Sequence, residues 1–385
     1  VYIKAGSNFD TISGTSHLLE HMVFKSTKKT NHTKRLKDLE LRGGMYNGGT
    51  SHEYNVYDIT VPFNEIEFAF KHIRQILFYA NFKKEELTIE KKVINDEILK
   101  YASDPYDNLF ELAKYKYLKD GSAYKNNISG LDTDLDKIDI KELQRFYQCY
   151  NAKNLFIGVS GNFKEPEVVK EISKINNLCS KYKSNIENKH LKPILKKCDK
   201  ILVKESKLTN NTFVLLDNFE IPKKYNAKER ILKHLYTLYK FGTSSSIFME
   251  ELRNKSGLLY SLIPVNTNYK YYQQKGMFFE CDPRNKDKIL NIIEATYNKL
   301  NKELINKVDL EHFKQFANNR FLIENQNHTN ILGFFMSSYF NNGVILDPLE
   351  IVKIRKEVKL EKINELVKKD LYSNFNHTYF GNLCF

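Results

Sequence analysis

Gly14-Thr15-Ser16-His17-Leu18-Leu19-Glu20-His21-Met22-Val23-Phe24 is the stretch on which the reading of this 385-residue chain turns. With Ser13 or Thr15 as the cap, a 3.6-residue period places His17, Glu20, His21 and Phe24 on one stripe of a helix, while Leu18, Leu19, Met22 and Val23 cover the other faces. A helix that is apolar almost all round is buried, and a buried stripe with two imidazoles and a carboxylate needs partners for its polar atoms. One divalent metal ion meets that need. Two histidines at i and i+4 can direct two ring nitrogens at a Zn2+, and the glutamate one turn along faces the same point, where it can take a proton from the metal's water. The competing reading is a pair of satisfied core histidines, and the buried helix around the motif favours the metal.

Composition sets the frame for that helix. Hydrophobic residues make up 41% of the chain, with 8 Pro and 16 Gly, which fits two globular domains of ordinary size, each with its own core. No apolar run approaches the roughly 18 residues of a membrane span. The net charge of +13 is compatible with an acidic partner, a membrane surface or nucleic acid. The lysines, however, are spread along the chain among many Asn, Tyr and Ile, the bias of an AT-rich genome, so no nucleic-acid partner is expected. Five cysteines, Cys149, Cys179, Cys198, Cys281 and Cys384, are odd in number and form no C-x-x-C pair. That suggests no cysteine metal site and points to a reducing compartment, either cytoplasmic or a mitochondrial or other organellar matrix, without choosing between them. Val1 to Ser7 reads as a strand running into a turn without an initiator Met, so the chain is expected to begin inside a sheet, with residues upstream of it lost.

Beyond the His helix, residues 31–42 have helical spacing and stop at Gly43-Gly44. Residues 45–60 read as a strand pair turning around Asn47-Gly48-Gly49, and 65–79 as an amphipathic helix. The helix over 84–102 carries Glu90, Ile94, Glu97 and Tyr101 on a single stripe aimed inward, with Asp96 solvated. Helices over 108–118, 140–150 and 165–178 and a strand over 154–162 complete the first half. In the second half, a helix over 360–371, Tyr372 and a strand over 376–382 repeat the helix, Tyr150 and the strand ending in Gly161-Asn162. Duplication of a roughly 190-residue unit produces such a repeat. The expected fold is α+β: two similar domains, 1–181 and 200–385, each a mostly antiparallel sheet packed against helices, joined by a polar linker over 182–199.

These segments resemble the inverzincin zinc peptidases of the pitrilysin, insulinase and mitochondrial processing peptidase type. The likeness runs through Ala5-Gly6-Ser7, the Gly14 to Lys25 segment, Gly43-Gly44 with Asn47, and Glu90 with Glu97, which lies 76 residues beyond His21. In the second half it covers Ser245 to Tyr260, where Arg253 and Tyr260 stand seven residues apart. The resemblance implies one Zn2+ per chain on His17, His21 and Glu97, with a fourth position for water. It makes Glu20 the general base that activates this water and then protonates the leaving amine, and Glu90 a carboxylate behind the ligands. It assigns Arg253 and Tyr260 to the scissile carbonyl as it becomes an oxyanion, and Asn47, with the strand after Gly44, to the edge along which an extended peptide adds. Ser26 stands where the family usually has Gly, and Gly48 where it commonly has Ala. Both departures bear on fine specificity.

The implied activity is that of a zinc metalloendopeptidase acting on peptides or presequences. A single unit of this size resembles half of the family's clam-like chamber, so a homodimer or a heterodimer with a related subunit is expected. A catalytically silent structural member, like the core subunits of respiratory complexes, is the alternative, and the complete set of His17, Glu20, His21 and Glu97 argues against it. A basic module for RNA or anionic surfaces is the third reading.

Overall fold

Two sheets organise the chain in the computed structural model, which describes residues 1–182, 195, 201–206, 210–220, 226–269, 271 and 273–383. Each sheet anchors a compact unit: Val1–Ser103 with Leu118–Ile194 in the first, Asp104–Tyr117 with Leu195–Phe385 in the second. Both units are largely antiparallel sheets packed against helices, as expected. The linker over 182–199 lies outside the described residues, apart from Tyr182 and Leu195. Among the described residues no helix is long and apolar enough to cross a membrane.

The first sheet joins β1 (Tyr2–Ile3), β2 (Met45–Thr50), β3 (Asn55–Thr60) and β4 (Leu155–Phe156) in the order β2-β3-β1-β4, with every pairing antiparallel. Its chain also forms α1 (Thr15–Val23), α2 (His32–Glu40), α3 (Ile66–Phe78) and α4 (Lys84–Ser103). Then come α5 (Pro105–Tyr117), α6 (Asp132–Leu135), α7 (Ile140–Tyr147) and α8 (Glu165–Cys179), of which α5 belongs to the second unit. Leu18, Leu19, Met22 and Val23 of α1 share one core with Ile3, Tyr57, Ile73, Leu77, Ile94, Leu143 and Phe146, so α1 is buried nearly all round. Full burial of such a side chain contributes about 1.5–3 kcal/mol, so this packing fixes where the polar stripe of α1 points.

Four local expectations need correction. Neither Ser13 nor Thr15 caps α1: their hydroxyls donate to Asn127 O and Ile12 O. The cap comes from Asp10, whose carboxylate accepts from Gly14 N at 3.0 Å and from Ser16 N at 2.9 Å. A carboxylate there satisfies the free N–H groups of the first turn and complements the helix dipole. The hairpin does not turn at Asn47-Gly48-Gly49, which lies inside β2; it turns over 51–54, where Ser51 N donates to Tyr54 O at 2.8 Å. Gly48 serves a close approach instead, because a Cβ there would sit 2.6 Å from both Glu20 Oε1 and Phe24 Cε2. The strand over 154–162 shrinks to β4, since its partner β1 offers only Tyr2 and Ile3. On α4, Glu90 and Ile94 are buried as expected and Asp96 is exposed, but Tyr101 is exposed too, one turn beyond the core.

The second sheet joins β5 (Ile201–Glu205), β6 (Thr212–Glu220), β7 (Ile263–Asn268), β8 (Gln273–Cys281) and β9 (Asn376–Gly381) in the order β5-β9-β6-β8-β7. Only β5 and β9 pair in parallel. On one face Val214, Leu216, Met277 and Phe279 pack with Leu235 of α9 (Ala227–Phe241) and with Ile293 and Tyr297 of α11, which follows the short α10 (Ile247–Met249) and spans Lys286–Glu303. Helices α12 (Lys307–Glu324), α13 (His328–Asn342), α14 (Pro348–Glu357) and α15 (Leu360–Val367) complete the unit. The other face sets Leu215, Phe219 and Phe278 around the buried pair Asp217 and Gln274, and α5 covers it: Tyr106 meets Phe278 edge-on with centroids 4.8 Å apart, and Tyr117 lies 5.4 Å from Phe219. A division of the chain at 181 therefore misplaces one element, because a sheet buried on both faces needs a layer that the second half does not supply.

At the entry to α1, Gly14 has φ +90°, and a Cβ would lie 2.6 Å from Ser129 O. Gly14→Ala should cost about 1–3 kcal/mol through left-handed backbone strain, before any clash is counted. A thermal melt of the full chain checks this, and an unchanged midpoint would mean the loop adjusts without strain.

Candidate metal centre

Two helices supply the polar stripe. His17 and Glu20, both 8% exposed, and the half-buried His21 come from α1; Glu90 and Glu97 come from α4. His17 Nε2 lies 3.8 Å and His21 Nε2 3.7 Å from Glu97 Oε2, and ligand atoms of these three residues all fall within 4.8 Å of one another. Zinc bonds of about 2.0–2.1 Å give tetrahedral edges of about 3.4 Å, so the two histidine–carboxylate edges lie within a few tenths of an ångström of a closed site. Two imidazole nitrogens and one carboxylate oxygen are a donor set that zinc takes, with one position left over. The residues therefore fit the metal.

The protonation state of His17 agrees with that fit. Burial, with His21 adding to it, pushes His17 down to about 3, so its ring is neutral, the form that binds metal. Nδ1 of the same ring is buried with no partner. His21 behaves differently. Burial alone would lower it, but the Glu90 hydrogen bond and the carboxylates of Glu20, Glu90 and Glu97 raise it above its ordinary value. Its Nδ1 lies 3.2 Å from Glu90 Oε2; a carboxylate only accepts, so Nδ1 carries the hydrogen and Nε2 is left for the metal side. Glu90 is in turn held by Lys25 Nζ at 2.6 Å. Burial would raise the Glu90 carboxyl, but the hydrogen bonds from His21 and Lys25 keep it below its usual range.

Glu20 stands beside the group without joining it. Its Oε2 is 3.9 Å from His17 Nε2 and accepts from Thr50 Oγ1 at 3.4 Å. Burial raises its carboxyl, with His21 and Thr50 acting against that and Glu97 adding to it. A carboxyl shifted upward is suited to carrying a proton near neutral pH.

Of the residues singled out in the sequence, His17, Glu20, His21, Glu90 and Glu97 come together on α1 and α4. Asn47 is exposed on β2, an edge strand, in register with Asp58. Arg253 lies in the π-helical turn Glu250–Lys255 of the second unit, its guanidinium carbon 5.2 Å from the ring centroid of the exposed Tyr260. Ser26 is tied to α4, its Oγ donating to Glu86 and its N–H doing so at 3.3 Å. Thr50 and Asn55 escaped the sequence reading. The available signal was the two-residue period of a strand, which puts Thr50 on the same face as Gly48.

The family model described as Insulinase (Peptidase family M16) matches residues 1–128, and the one described as Peptidase M16 inactive domain matches residues 137–317. An uncharacterized zinc protease of Rickettsia bellii is 27% identical over 69% of this chain and 63% of its own length. One of Bacillus subtilis is 24% identical over 96% of this chain and 89% of its own. A probable mitochondrial-processing peptidase subunit beta of Arabidopsis thaliana is 29% identical over 46% of this chain and 33% of its own. In fold, the chain is similar to the crystal structure of a peptidase M16 inactive domain from Pseudomonas fluorescens, with TM-score 0.88, 15% identity and coverage of 100% of this chain and 92% of that one. A protease from Helicobacter pylori gives TM-score 0.86 at 18% identity, covering 99% and 92%.

Glu90→Gln should lower the titration of His21 in the metal-free protein, because the charge that stabilises the imidazolium is gone. A raised His21 contributes fully below its unfolded value of 6.5 and loses that contribution as pH rises through the higher folded value, so the variant should lose most stability at mildly acidic pH. NMR titration of the ring resonances checks it; an unmoved His21 would place the cause of its shift in Glu20 and Glu97.

Proposed function

The chain belongs to peptidase family M16, and from that premise we propose that it is a zinc endopeptidase in which His17, His21 and Glu97 hold one Zn2+ per chain and Glu20 carries the proton. The observation that supports the reading is the meeting of two imidazole nitrogens and a carboxylate oxygen within 4.8 Å, with a second carboxylate beside them that is not a member of the group. Zinc, when bound, supplies a Lewis acid that polarises the scissile carbonyl and the attacking water. Glu20 takes the proton of that water and passes it to the leaving nitrogen. Glu90 and Lys25 keep His21 in the tautomer that leaves Nε2 free. The peptide adds as a strand along the open edge of β2, next to Asn47. Arg253 and Tyr260 are assigned to the carbonyl oxygen as it gains charge, in this chain's own centre or a partner's, on the resemblance of their segment alone.

The description "inactive" attaches to residues 137–317, and His17, Glu20, His21 and Glu97 all lie outside that range, which speaks against a silent structural role. The compartment is proposed as a reducing one on the odd cysteine count alone. Assembly follows the family's chamber: the reading calls for a homodimer or a heterodimer with a related subunit, since a closed site excludes water and strengthens the polar contacts on the carbonyl.

Glu97→Ala should lose the metal, while Glu20→Gln should keep it and lose about 100- to 10,000-fold in turnover. Metal analysis beside cleavage of a mixed peptide pool separates the two, and loss of zinc from the Glu20→Gln protein would refute this division of roles. Specific activity should fall on dilution as the assembly dissociates. Light scattering across the same series checks that, and full activity from a strict monomer would overturn the dimer.

A further inference from the structure

We propose that strand β2 positions the proton carrier as well as offering its edge to the peptide, and that Thr50 is the positioning residue. The inference rests on the reading of Glu20 given above. It begins at Ser16, in the first turn of α1, whose carbonyl oxygen accepts from Asn55 Nδ2 at 3.0 Å. A carbonyl can be met only by the NH2 side of an amide, so this contact fixes the orientation of the fully buried Asn55. The same Nδ2 lies 3.3 Å from Thr50 Oγ1 and occupies an acceptor position on that hydroxyl. The single hydroxyl hydrogen of Thr50 is then directed to its other neighbour, Glu20 Oε2, 3.4 Å away.

The second carboxylate oxygen meets the same strand face. Oε1 lies 2.6 Å from where a Cβ would stand on Gly48, so the bare glycine backbone borders it. Behind Asn55, Tyr150 OH lies 3.5 Å from Nδ2 and 2.5 Å from Tyr57 OH, closing the buried side of the relay. One strand face therefore limits Glu20 from both oxygens, and the relay that does so starts on the helix that carries Glu20. A shift of β2 along α1 would move the hydroxyl away from the carboxylate, which couples the seating of a peptide on β2 to the position of the base.

A threonine in a strand is otherwise a filler of pleated surface, and valine fills the same space without the donor. The test uses the full-length chain as Thr50→Val, Thr50→Ser and Gly48→Ala, beside the parent and Glu20→Gln. Each is measured for zinc content, for kcat and KM on a quenched fluorescent peptide, and for affinity toward that peptide in the Glu20→Gln background. Thr50→Val should lose about tenfold in kcat, with KM, peptide affinity and zinc content within about twofold of the parent. Thr50→Ser should keep kcat within about threefold, and Gly48→Ala, whose methyl displaces Oε1, should lower kcat at unchanged zinc content even if Thr50→Val folds poorly. A Thr50→Val kcat within about twofold of the parent overturns the inference, as does a Thr50→Ser protein impaired as badly as Thr50→Val. An inactive Glu20→Gln with a fully active Thr50→Val sinks this inference alone, whereas equal cleavage by parent and Glu20→Gln sinks the reading of the base and this inference with it.

Discussion

A cluster of ionisable groups gathered at a buried point is the constraint on which the first unit depends. Glu90 is nearly enclosed and bonds to His21 on one oxygen and Lys25 on the other, so α1 and the loop after it are tied to α4 through a single carboxylate. Leaving one member of a buried charge pair without its partner typically costs about 3–5 kcal/mol, against about 5–15 kcal/mol for the stability of a whole domain. The apolar faces of α1 set the depth of the stripe, and these polar contacts set its rotation. Neither alone would bring three donor atoms to one place.

Strand β2 extends this arrangement toward the substrate. Among the described residues it is an edge of its sheet, with no strand paired on one side of its backbone, while its Gly48 and Thr50 press against the stripe of α1. The larger alanine common in the family at position 48 would need more room between helix and strand than this chain provides. Ser26, the other departure, adds a tie: its N–H bond to Glu86 of α4 is one that glycine could also make, and its hydroxyl supplies a second.

The site was more legible in the sequence than its supports. Helical period is a strong signal over 9 and 20 residues, which is why α1 and α4 delivered His17, Glu20, His21, Glu90 and Glu97 to one region. Glycine is ambiguous, since turn chemistry and close approach require the same residue, and Gly48 was read as the former. The cap of α1 was missed because the acceptor sits on Asp10, upstream of a loop, rather than at the conventional cap position. The placement of α5 has a cue in the sequence: Val214-Leu215-Leu216 is a continuous apolar run, and a strand without alternation is buried on both faces.

That helix gives the chain an order of assembly. Residues 105–117 leave the ribosome early, but β6 begins only at Thr212 and β9, which lies beside it in the sheet, ends at Gly381. At about 5–20 residues per second, on the order of ten seconds or more pass before the surface that α5 covers exists. Until then the side of α5 that carries Tyr106, Leu109 and Tyr117 lacks the sheet it packs on in the folded chain. The nascent first half therefore carries one helix on behalf of the second. Cutting the gene between the codons for residues 182 and 195 would separate that helix from its sheet, leaving one product with an adhesive surface and the other with an uncovered face.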